Sequence, residues 1–181
     1  MLLCRADIGF AQSRFKEAEA DYARASALGA DGPDLLAARA LNAVYFGQPA
    51  HAAAQYRQVL ADADNDADRL RARIWLALLK AEGDSPARAP SADARWLTVL
   101  LDAVQGKVRP EQAMAAATGD AGPGADVQLG EAYFYLGKSM LSTEARWKAL
   151  AYFKQVLVKL APDHPYTHAA RLELAQMEKK P

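Results

Sequence analysis

The chain has one cysteine, Cys4, so no internal disulfide can form and the fold does not depend on an oxidising compartment. It has no excess of either charge: 22 Lys and Arg balance 22 Asp and Glu, leaving no overall field to draw it onto nucleic acid or an anionic membrane. No apolar run approaches the roughly 20 residues that cross a bilayer, so a soluble protein is expected. The opening MLLCRADIG lacks the basic segment and apolar stretch of a signal peptide, and read alone it places the protein in the cytoplasm. Phosphate-cradling glycine motifs are also missing: there is no GxxxxGK[ST] and no GxGxxG, and GDAGPG (119 to 124) has no strand to feed it. No serine sits in a nucleophile motif, and Cys4 has no histidine near it in sequence. The chain therefore reads as non-catalytic, with no catalytic residue and no cofactor.

What is present is alanine, helix-length apolar spacing and regular punctuation. Half of the 181 residues are hydrophobic, and alanine, which favours helices while burying little area, supplies much of that share. Apolar residues recur at three and four rather than two, which predicts helices and no strands. Pro33, Pro49, Pro110 and Pro165 stand where a helix would begin, since a first-turn residue needs no N–H partner. Gly29, Gly47, Gly83, Gly106 and Gly119 stand where one would end in a left-handed cap. The expected helices are 2 to 13, 14 to 28, 33 to 46, 49 to 62, 67 to 82, 92 to 105, 110 to 118, 126 to 141, 144 to 160 and 165 to 178. The fold class is thus all-α, built from antiparallel helix pairs.

An internal repeat fixes the expected architecture. An offset of 34 residues aligns Ala6 with Ala40, Ala18 with Ala52, Tyr22 with Tyr56 and Ala25 with Val59. At this point the chain resembles the tetratricopeptide repeat family, whose unit of about 34 residues is a helix pair with small residues at the crossing and an aromatic one turn later. A further copy places Leu136, Gly137, Ala149, Phe153 and Pro162 at the family's leucine, glycine, alanine, aromatic and closing proline. Between them Pro86 falls where a third small residue should sit, so SPARAPSA breaks the pattern. The segment RWLTVLLDAVQGKVRPEQAMAAATGDAG, with the EAYFYLGKSML that follows, is similar to bacterial lipoproteins of the NlpI type over roughly residues 95 to 175. The resemblances imply a right-handed solenoid in one domain over 1–181. First repeats would occupy 1–83, irregular linker helices 84–125, and the last repeat with its capping helix 126–181. They also imply a homodimer through the N-terminal helix and envelope-associated adaptor work.

In the family, the first helix of each pair lines a concave groove that holds a peptide. The register maps this groove onto Asp7 and Phe10, Leu41 and Tyr45, Arg71, Trp75 and Leu78, then Phe134, Lys138 and Leu141. Tyr45, Trp75, Leu78 and Phe134 are expected to bury apolar anchors, and Arg71 and Lys138 to fix charge and orientation. Leu3, Asp7 and Ala38 stand where some members carry the basic and amide side chains of a carboxylate clamp, so tail-clamping of that kind is not expected. For Trp75 and Trp96, core packing is an equally open reading.

The competing reading is a metal or small-molecule binder. In DADNDAD, Asp62, Asp64 and Asp66 alternate as calcium ligands do, but Ala67 stands where the loop needs glycine and Arg73 where it needs a bidentate glutamate. A solvated turn with Asp66 or Asp68 capping the next helix fits better. His164 and His168 are spaced for zinc, yet Pro165 starts the helix and leaves His164 at its cap, with no third ligand near.

Overall fold

The computed structural model describes residues 1–81, 91–119, 124–141, 143 and 145–179. Among these the chain is all-helical, with no strand. The helices are α1 (Leu2–Ala11), α2 (Phe15–Ala27), α3 (Pro33–Tyr45), α4 (Pro49–Asp62), α5 (Asp66–Leu78), α6 (Arg95–Val104), α7 (Pro110–Thr118), α8 (Ala125–Met140), α9 (Arg146–Lys159) and α10 (Pro165–Glu178), with a short 3-10 turn at Ala92–Ala94 before α6. Each predicted helix is present within a few residues. No helix among the described residues is long and apolar enough to cross a membrane.

Proline opens α3, α4, α7 and α10 as predicted. Gly29, Gly47 and Gly106 take positive φ of 92°, 78° and 77° just past α2, α3 and α6. There the next residue's N–H bonds back to the last turn, as from Ala30 to Ala25 and from Gln48 to Ala43. Two non-glycine residues take the same left-handed turn: Ser13 (φ 61°) after α1 and Lys80 (φ 52°) after α5. Lys80 thereby ends α5 at Leu78, four residues before the predicted end, and Gly83 lies outside the described residues. Gly119 departs from the expectation, since its φ of −58° is right-handed. Nor is the α5 cap an aspartate: Asn65 Oδ1 accepts from the Asp68 N–H at 2.8 Å, while Asp66 and Asp68 occupy the first turn.

The chain forms two compact units, dividing between residues 89 and 90. In the first, each helix from α1 to α5 packs on its sequence neighbours. The residues matched by the 34-residue offset all lie in its core. Ala6 and Ala40 are both buried, as are Ala18 and Ala52, Tyr22 and Tyr56, and Ala25 and Val59. Side chains bridge the helices: Asp7 Oδ1 accepts from Tyr22 Oη at 2.6 Å, Arg5 pairs with Asp21, and Arg39 meets Glu19 at 2.7 Å. Asn42, fully buried, donates from Nδ2 to the Phe15 carbonyl at 2.9 Å and ties α3 to the start of α2.

In the second unit α8 is central, packing on α6, α7 and α9 and touching α10. The counterparts of the first unit's core, Ala149, Phe153 and Val156, are fully buried. Gly137, like Gly130, lets α9 come so close to α8 that a methyl group would collide with it.

Candidate functional site

The groove positions of the first unit form two clusters of different character. At the α1–α2 turn, Phe10, Phe15 and Tyr45 make an aromatic triangle with ring centroids 5.8 to 6.3 Å apart. Phe10 and Leu41 are buried, whereas Tyr45 is half-buried. On α5, Trp75 is 1% exposed and stacks on Tyr56 of α4, with centroids 5.4 Å apart and planes 8° from parallel. The indole therefore completes the core and has no surface for a partner in this conformation. Arg71 and Leu78 on the same helix are half-buried. Arg71 Nη1 lies 3.4 Å from Asp68 Oδ1, the geometry of a weak ion pair at the rim.

In the second unit the groove positions meet the chain's own last helix. Phe134 is fully buried and stacks on Tyr166 of α10, with centroids 4.5 Å apart and planes 3° from parallel. Tyr135, also fully buried, shares a hydroxyl hydrogen bond with Tyr166. One turn along, Lys138 Nζ donates to Glu173 Oε1 at 2.6 Å, with side chains 16% and 6% exposed. Aromatic face and cation, the two features expected to receive a peptide here, thus receive α10. Tyr133 pairs with Tyr152 of α9 at 5.7 Å, consistent with a packing role. Trp96 is buried in the α6 core.

The histidines divide as their backbone positions dictate. His164 is the N-cap of α10, and its Nδ1 accepts from the Tyr166 N–H at 3.1 Å. His168 lies in the helix, and partial burial, with Arg171 nearby, holds its imidazole below the ordinary value of 6.5. Neither this pair nor the Asp62–Asp68 run forms a group of three or more metal-ligating side chains, and none is found elsewhere among the described residues.

A feature without a sequence signal is a pocket of about 580 Å³ between the α6–α7 turn and the end of α8, lined by Val104, Lys107, Arg109, Met140 and Thr143 among others. Several of its polar groups bond within the chain. Lys107 faces Asp102 at 3.4 Å, the Arg109 N–H donates to Gln112 Oε1, and the Thr143 hydroxyl donates to the Met140 carbonyl. Such a pocket forms wherever a loop crosses a helix end, and no motif announces it. Compared with known proteins, the chain matches no protein-family model and no curated protein.

Proposed function

We propose that this chain is a tetratricopeptide-like helical repeat protein, its helix pairs antiparallel and stacked in solenoid fashion, which binds a peptide or protein partner without catalysis. The observation that carries the reading is the equal burial of register-matched residues: Ala6 with Ala40, Ala18 with Ala52 and Tyr22 with Tyr56, repeated by Ala149 and Phe153. A periodic core leaves a periodic surface, and repeat surfaces of this kind are extended binding faces. The groove positions of the first unit that remain partly accessible are Tyr45, Arg71 and Leu78, an apolar and cationic lining suited to a peptide with an apolar anchor and a carboxylate. The buried groove positions of the same unit, Phe10, Leu41 and Trp75, belong to its core.

Selection of peptides from a displayed random library on the purified chain, followed by titration against Tyr45→Ala and Arg71→Glu, tests this. Selected peptides should lose about tenfold or more in affinity for each variant. An empty selection, or equal binding to wild type and both variants, would remove the groove.

The same reading includes self-association through α1, supported by the exposure of Leu3 and Ile8 on that helix. Light scattering at micromolar concentration should return a two-chain mass that reverts to one chain in Ile8→Glu. A single-chain mass for the wild type would remove it.

A further inference from the structure

Helix α9, RWKALAYFKQVLVK, carries four cations and no carboxylate in a chain whose charges balance overall. One side of the helix is spent on packing: Ala149, Phe153 and Val156 are fully buried. At 100° per residue, the opposite ridge runs Trp147, Ala151, Lys154, Val158. Trp147 is 69% exposed and Val158 72%. Tryptophan is seldom left so open, and where it is, it is the residue type most often found anchoring an interface. Arg146 and the exposed Leu157 flank the ridge on one side, Lys148 and Lys159 on the other. The Lys148 ammonium lies 5.6 Å from the Trp147 ring centroid, orienting the indole, and Lys159 is engaged by Asp126 at 2.6 Å.

We infer that this outer ridge of α9 is a second docking surface, separate from the groove, whose occupant is an acidic amphipathic helix of a partner protein. Charge complementarity selects the occupant, since a ridge bearing only cations accepts a carboxylate-rich segment and rejects a basic one. The two apolar anchors lie about 16 Å, or three helical turns, apart along the ridge. A helix laid along α9 meets both with apolar residues of the same spacing, its carboxylates falling beside Lys148 and Lys154. A bilayer fits less well. Surface attachment scales with continuous apolar area sunk among the acyl chains, and here the charge of Lys154 stands between the anchors.

The test uses the full chain and a labelled helical peptide with leucines eleven positions apart flanked by glutamates, read by fluorescence anisotropy. A copy with lysine for glutamate and vesicles containing about one-third phosphatidylserine serve as comparisons. The acidic peptide should bind, more weakly as salt rises from about 50 to about 300 mM. Trp147→Ala and the Lys148→Glu, Lys154→Glu pair should each weaken it about tenfold or more, while Arg71→Glu should leave it unchanged. Either variant carries the test if circular dichroism finds the other unfolded. No binding of the acidic peptide, equal binding of its lysine copy, binding by both variants as tight as by wild type, or preferential attachment to the vesicles would each overturn the inference.

Discussion

Gly137 of α8 and Phe153 of α9 lie so close that a Cβ built on the glycine would stand 2.8 Å from the phenylalanine Cε1. Phe153 is fully buried, so its ring has nowhere to move. Gly137→Ala gains about 1 kcal/mol in helix propensity, yet forces an overpacked crossing that costs about 1–3 kcal/mol. Net destabilisation is expected in urea denaturation, and Phe153→Leu should relieve it in the double variant. A stabilised Gly137→Ala would mean the helices cross less closely than this.

Lys138 and Glu173 make a nearly buried ion pair between α8 and α10, so removing one partner is expected to cost more than removing both. Glu173→Ala should lower stability by about 3 kcal/mol, because a cation stays in a poorly solvated site. The apolar pair Lys138→Met, Glu173→Leu should fall within about 1 kcal/mol of wild type. Equal losses for the single and double variants, measured by chemical denaturation, would contradict this.

Tyr22 donates to Asp7 from a buried position, and both burial and that carboxylate push its phenol well above the ordinary 10.0. A raised folded-state value favours the protonated form, so the contribution is fully present below pH 10 and is lost as pH rises beyond it. Thermal midpoints should fall on the alkaline side more steeply for wild type than for Tyr22→Phe. At neutral pH the same substitution should cost about 1 kcal/mol. For His168 the sign is opposite. Burial lowers its value beneath 6.5, so its contribution is present above that pH and is lost as pH falls below it. His168→Gln should flatten the acid limb below about pH 6.5.

Lys80 holds the left-handed turn after α5 that glycine holds after α2, α3 and α6. A non-glycine residue there costs about 1 kcal/mol, so Lys80→Gly should raise the unfolding free energy by less than that, the freer unfolded chain offsetting part of the gain. No change or a decrease would show that the lysine side chain compensates.

Helix number, the four proline starts and the repeat register were legible in the sequence, because each rests on local chemistry: a fixed φ, a missing N–H, a small residue at a crossing. What local chemistry cannot supply is what lies on top. The spacing puts Phe134 and Lys138 on the groove stripe, but whether that stripe meets solvent depends on a segment some 30 residues later, whose Tyr166 and Glu173 cover it. Trp75 is similar, since its partner Tyr56 belongs to the neighbouring helix. At the α5 cap, Asn65 and the aspartates beside it compete by one or two residues, within the uncertainty of any helix boundary.

The claim beneath all of this is that the 34-residue register is the core, and leucine substitution at matched alanines measures it most directly. Ala18 and Ala52 are buried one 34-residue step apart and Ala149 is buried at the corresponding place of the later α8–α9 pair, while Ala20 and Ala54 lie exposed on the same α2 and α4. Ala18→Leu, Ala52→Leu and Ala149→Leu should each lose about 1–3 kcal/mol in denaturant unfolding, with Ala20→Leu and Ala54→Leu within about 0.5 kcal/mol of wild type. Equal tolerance at register and exposed positions would contradict a repeat-built core and the binding surface argued from it.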